Sequence, residues 1–111
     1  MTDSSRSTRV SFLSNAVVLV AASPGLAMTT KAAALEVSGG SVVPADIASV
    51  ATVAAEVRPY AIVIPRDVYE FGASEFDALA RDLNTGMVVV PDGVRLAVLA
   101  ATLGEEAQRL G

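Results

Sequence analysis

Residues 58–69 read RPYAIVIPRDVY, and this stretch decides how the rest of the chain is interpreted. An apolar run over residues 61–64 ends abruptly in Pro65, Arg66 and Asp67. A short continuous apolar run bounded by turn residues is typical of a strand covered on both faces, as in a parallel sheet. The polar residues that follow such a strand lie at the carboxyl edge of the sheet, where α/β proteins bind their ligands.

The segments around this run alternate between apolar runs and helical stripes. Strands are predicted over residues 16–22, 41–43, 60–64 and 87–90. Four helices are predicted after them: one that Ser23 caps and Gly39 ends, one with an apolar stripe from Ile47 to Val57, one that Ser74 caps, and one with leucines from 96 to 110. Strict β-α alternation predicts a parallel sheet with helices on both faces, and Val18, Val20, Ile62 and Ile64 as core residues of its central strands.

The amino-acid composition limits the classes of function that this chain can have. The chain has 111 residues, of which 52% are hydrophobic and 18% charged, and its net charge is −4. Residues 1–12 are predicted as a flexible tail and residues 13–111 as one domain. The lack of a basic stripe argues against nucleic acid as a partner, and the lack of a long apolar run argues against a membrane. Without Cys or His, zinc and thiol chemistry are excluded, no cofactor is predicted, and a cytoplasmic location fits.

The order of motifs resembles the receiver domain of bacterial response regulators. The segments NAVVLVAASPG, GGSVVPA, VAAEVRP and YAIVI follow one another at about the spacing of that family, and the likeness covers residues 15–93. The resemblance implies a three-layer α/β/α fold with a four-stranded parallel sheet in the order 2-1-3-4, like a truncated receiver or flavodoxin. The family's fifth β-α unit has no counterpart in this chain.

The residues that carry phosphorylation in the family are replaced here. By the resemblance, the acidic pair falls on Ala22 and Ser23, the phosphoacceptor aspartate on Pro65, and the Ser or Thr that ends the fourth strand on Pro91. Phosphoryl transfer to an aspartate needs a carboxylate nucleophile and carboxylates that hold a divalent ion. We therefore expect a degenerate receiver that is not an enzyme and cannot be phosphorylated in the way of its family.

The polar residues at the predicted strand ends allow two interpretations. Ser23, Arg66, Asp67 and Asp92 could gather into a site for a small anion or nucleotide, with Arg66 as the cation. Alternatively, Arg66 and Asp92 form an exposed ion pair, which contributes about 0–1 kcal/mol. Phe71 also has two possible roles, as a contact for a partner or as a packing residue between helix and sheet.

The predicted fourth strand indicates how the chain assembles. Without a fifth strand beside it, this apolar strand is an edge, and proteins normally cover such edges. Either the last helix folds back over the sheet or a second subunit supplies the cover. We expect a protein partner and a homo-oligomer, with an interface of six residues: Met87, Val89, Leu96, Leu99, Leu103 and Leu110.

Overall fold

The computed structural model of the protein describes residues 15–39, 41–91 and 93–110. Its strands are β1 (Val17–Val20), β2 (Val42–Ala45), β3 (Ala61–Pro65) and β4 (Gly86–Val90). Its helices are α1 (Pro24–Ser38), α2 (Val50–Val57), α3 (Arg66–Glu70), α4 (Ala73–Leu83) and α5 (Leu96–Leu110). The tail predicted over residues 1–12 lies outside the described residues.

The four strands form one parallel sheet in the order β2-β1-β3-β4, which confirms the predicted α/β class and strand order. The central strands β1 and β3 are buried along their whole length. The four predicted core residues, Val18, Val20, Ile62 and Ile64, are 0% exposed. Continuous apolar runs therefore mark strands that have a helix layer on each face, as expected for a parallel sheet.

Two separate clusters of buried side chains make up the core, one on each face of the sheet. On one face, α1 and α5 pack through Leu26, Ala33, Leu99 and Leu103. On the other face, α2 and α4 pack through Val50, Ala54 and Phe76. Across the sheet, the connection from β1 to β2 runs toward one edge, and the connections from β2 to β3 and from β3 to β4 run toward the other edge. Crossovers of a single hand therefore require α1 on the face opposite α2 and α4.

Local details differ from the sequence prediction at four positions. Residues 66–70 form the short helix α3, where a loop was predicted. Helix α4 begins at Ala73 after Gly72, so Ser74 is inside the helix and does not cap it. Ile47 is exposed because residues 47–49 form a turn before α2 begins. Strand β2 continues through Pro44, where it was predicted to end, because β2 is an edge strand.

Candidate functional site

Ser23 stabilises the amino-terminal end of helix α1. It is the N-cap of the helix, and its Oγ accepts a hydrogen bond from the Leu26 N–H at 3.2 Å. Pro24 follows at the first helical position, as the sequence predicts. The Ser23 hydroxyl therefore satisfies an N–H of the first turn, and Ser23 is not among the residues that line either of the two pockets at this edge.

Arg66 and Asp67 do come together, at the carboxyl ends of β3 and β4. With Glu70 and Pro91 they line an open pocket of about 290 Å³. Asp67 accepts a hydrogen bond from the Val68 N–H at 3.1 Å and lies in the first turn of α3. The pocket lining thus holds one guanidinium and two carboxylates, and its excess of negative charge disfavours the binding of an anion. Asp92, the remaining predicted ligand residue, lies outside the described residues.

A second pocket, which the sequence reasoning missed, lies at the carboxyl ends of β1 and β2. It has a volume of about 380 Å³ and is open to solvent. Its lining consists of Leu19, Ala21, Ala22, Ala27, Pro44, Ala45, Asp46 and Ser49. Most of these side chains are small and apolar, so the pocket presents few groups that could orient a polar ligand.

The polar rim of this second pocket is a closed hydrogen-bonded turn. The Ser49 N–H donates to Asp46 Oδ1 at 2.8 Å, and the Asp46 N–H donates to Ser49 Oγ at 3.2 Å. The hydrogen bonds from Ser49 hold the pKa of the Asp46 carboxyl below its usual value. The signal for this turn is the D-x-x-S spacing of residues 46–49, which resembles a capping box at the start of a helix.

The residues that the resemblance assigned to phosphorylation chemistry have no carboxylate side chain. Ala22 and Ser23 follow β1, and Pro65 ends β3 as a buried residue and the N-cap of α3. Proline offers no side-chain oxygen for a phosphoryl group or a divalent ion. Among residues 15–39, 41–91 and 93–110, no group of three His, Cys, Asp or Glu side chains could hold a metal ion.

Helix α3 is tied to α4 by polar and aromatic contacts. The Tyr69 hydroxyl donates to Asp77 Oδ1 at 2.7 Å, and the Tyr69 ring stacks on Phe76 with centroids 6.3 Å apart. Its hydrogen bond to Asp77 raises the pKa of Tyr69 above its ordinary value of 10.0. Phe71, in the turn between the two helices, is 86% exposed, so the packing role considered for it is wrong.

The predicted interface residues fall into three groups. Leu99 and Leu103 are 0% exposed and pack with the sheet of their own chain, so their assignment to an interface is wrong. Helix α5 folds back over the sheet, which was the first of the two alternatives. Met87 and Val89 are half-buried on β4, and Leu96 is 41% exposed. The side chain of the sixth residue, Leu110, lies outside the described part of the chain.

The two edges of the sheet differ in their chemistry. The Val17 N–H donates to Ser41 O and the Ala21 N–H to Ala45 O, so alternate residues of β2 face β1 and Pro44 faces outward. Pro44 lacks an N–H, and proline on an outward position is a common way to protect an edge strand. On β4, the Gly86 N–H donates to Tyr60 O. By the same alternation, the peptide groups of Met87 and Val89 face away from β3.

Comparisons with protein-family models, curated proteins and solved structures give no match for this chain. Within the described residues, none of the helices has the length and apolar character needed to span a membrane.

Proposed function

We propose that this chain is a non-catalytic protein-interaction module, an adaptor, scaffold or assembly subunit, that associates with copies of itself through the outer edge of β4. The observation that carries the proposal is the contrast between the two sheet edges. The β2 edge presents Pro44, whereas β4 presents only apolar residues and glycine, GMVVV, with no proline and no charge. An apolar edge with outward N–H and C=O groups is a template for pairing with another strand.

The same edge of a second copy complements it. If two β4 strands pair antiparallel about a two-fold axis at Val88, Met87 of each copy lies opposite Val89 of the other. Both of these residues direct their peptide groups outward, so each opposed pair exchanges two hydrogen bonds. Pro91 has no N–H to continue the ladder, and the contact therefore stays short. Such a contact is isologous and closes as a dimer with a continuous eight-stranded sheet.

Two further features support a binding role without catalysis. The strand order 2-1-3-4 agrees with the resemblance to receivers. By that resemblance, the acidic residues of the family are replaced by Ala22, Ser23 and Pro65. We therefore propose a pseudo-receiver that acts in the cytoplasm of a bacterium as a signalling adaptor. The alternative, a site for a small anion at the strand ends, is disfavoured because Arg66 shares its pocket with Asp67 and Glu70.

The β4 contact is tested by the molecular mass in solution. The wild-type chain should exceed the monomer mass of 11.3 kDa in light scattering at micromolar concentration, and Val89→Lys should lower the mass. Val42→Lys is the matched control, because it places the same charge on a half-buried valine of the β2 edge. An unchanged mass for Val89→Lys, or equal effects of the two variants, would refute the β4 interface.

The absence of phosphorylation is tested separately. Incubation with acetyl phosphate and Mg²⁺ should leave the intact mass of the protein unchanged. Uptake of one phosphoryl group on Asp67 or Asp92 would overturn the non-catalytic assignment, because it would show that a carboxylate near the strand ends replaces the missing aspartate.

A further inference from the structure

Helix α1 is apolar on both of its faces. Its inner face is buried against the sheet and α5 through Leu26, Thr30, Ala33 and Ala34. Its outer face carries a row of exposed residues that we call the outer seam: Gly25, Met28, Ala32, Leu35 and the C-cap residue Gly39. Met28 is 73% exposed and Leu35 is 69% exposed. A helix with two apolar faces is typical of an element that is covered on both sides.

The outer seam has the spacing of a two-stranded coiled coil. Successive seam residues are three, four, three and four positions apart, which is the a/d pattern of two consecutive heptads. Gly25 and Ala32 occupy the a positions, the large residues Met28 and Leu35 occupy the d positions, and Gly39 ends the seam as the left-handed C-cap residue. Small residues at a allow two helices to approach closely, and large residues at d fill the space between them.

The charged residues beside the seam fix the orientation of a partner helix. Lys31 and Glu36 are the exposed charged residues of α1, and they occupy a g and the following e position. Residues five apart are not neighbours on the same helix, so this pair has no role within α1. In a parallel two-stranded coil, however, a g residue lies beside the e residue five positions later on the partner. An antiparallel coil places g beside g and e beside e.

We propose that the outer seam of α1 binds the outer seam of a second copy as a parallel, in-register helix pair. Lys31 of each copy then lies beside Glu36 of the other, and the two ion pairs are related by the two-fold axis along the helices. This contact does not involve the β4 edge. Helix α1 contacts β1 and β2, and β2 and β4 are the two opposite edges of the sheet. A protomer with two different isologous contacts builds assemblies larger than a dimer.

The first test removes an apolar residue of the seam in a chain that also carries Val89→Lys, so that the β4 contact is absent. The Val89→Lys protein should have about twice the mass of 11.3 kDa, and adding Leu35→Glu should reduce it to the monomer. Ile47→Glu is the matched control, because Ile47 is an exposed aliphatic residue outside the seam. A monomer before Leu35→Glu is added would overturn the seam contact, whereas an unchanged mass for Val89→Lys relative to wild type would instead refute the β4 proposal.

A charge reversal tests the orientation. In the same background, Lys31→Glu and Glu36→Lys should each lower the dimer fraction, because each places like charges side by side across the seam. The double variant Lys31→Glu/Glu36→Lys should restore the dimer. Circular dichroism confirms that each variant is folded. Failure of the double variant to restore the dimer would overturn the parallel geometry.

A disulfide tests the register. The chain has no Cys, so Ala32→Cys introduces a single thiol at the centre of the seam. In the in-register pair the two Cα atoms face each other, and the copies should cross-link in a glutathione redox buffer. Ala51→Cys is the matched control, because Ala51 is exposed on α2 and on the opposite face of the sheet. Equal cross-linking of the two variants would overturn the proposed register.

Discussion

Replacing Thr85 with valine should stabilise the protein, which is the reverse of the usual effect of a substitution in the core. Thr85 is 6% exposed, and its Oγ1 is buried with no hydrogen-bond partner. A buried hydroxyl that loses its bonds to water without a replacement costs about 1–3 kcal/mol. Valine has nearly the same shape and replaces this hydroxyl with a methyl group, so the cost disappears without leaving a cavity.

The turn around Thr85 favours an apolar residue at this position. Helix α4 ends with Asn84 in the left-handed conformation, with φ of 56°. The Asn84 N–H donates to Arg81 O at 3.2 Å, and the Thr85 N–H donates to Ala80 O at 2.9 Å. This is the Schellman motif, in which the residue at the position of Thr85 commonly makes an apolar contact with the last turn of the helix. Valine keeps the backbone bonds and supplies that contact.

The expected gain is about 1–3 kcal/mol in the free energy of unfolding, and each kcal/mol raises the Tm of a domain of roughly this size by about 4–8 °C. Thermal and urea denaturation should be measured at one protein concentration, since association also raises the apparent stability. Thr85→Ser, which keeps the hydroxyl and loses the methyl group, should instead destabilise the protein. If Thr85→Val lowers the stability by about 1 kcal/mol or more, the hydroxyl makes a stabilising hydrogen bond and the reasoning is refuted.

Three further predictions concern a core residue, a surface charge and the hydrogen bond of Tyr69. Ile62→Ala should lower the free energy of unfolding by about 2–5 kcal/mol, because Ile62 is fully buried in the central strand β3, whereas exposed Arg66→Ala should change it by less than about 1 kcal/mol in the same thermal melt. The Tyr69 hydrogen bond to Asp77 raises the folded-state pKa of Tyr69, so its stabilisation is complete below the unfolded pKa and is lost as the pH rises through the folded value. Tyr69→Phe should remove this alkaline loss of stability, measured by urea denaturation across the alkaline range, and an unchanged pH profile would contradict the assignment.

The sequence allowed the fold to be predicted because each central strand is a continuous apolar run. In a parallel sheet with helices on both faces, β1 and β3 need apolar residues on both sides, and runs such as AIVI in residues 61–64 are the direct result. Helix α3 was missed because RDVYE has no apolar stripe. Its five residues are held by side-chain contacts to the next helix, such as the hydrogen bond from Tyr69 to Asp77, which a search for a helical stripe does not reveal.

The candidate site was harder to predict than the fold. Residues such as Ser23 and Arg66 were grouped because they follow strand ends, but the carboxyl edge of this sheet is wide enough for two separate pockets. Ser23 also caps α1, and a serine that caps a helix has the same sequence pattern as a serine that faces a ligand. Only the three-dimensional structure separates these roles.

The position of α5 changes the kind of contact that β4 can make. A helix between two strands of a sheet is assigned to one face by the handedness of the crossover, but α5 follows the last strand of the sheet order and is free of that constraint. It packs beside α1, and its buried leucines cover the face of β4 that carries Val88, while α4 lies over the face that carries Val89. Both faces of β4 are therefore covered within the chain, and what remains for a partner is its row of outward peptide groups. A contact through β4 must then be a strand pairing. Because Val89 is half-buried and would lie opposite Met87 of the second copy, a lysine there should weaken the pairing, whereas a change at the fully buried Leu99 would unfold the monomer instead.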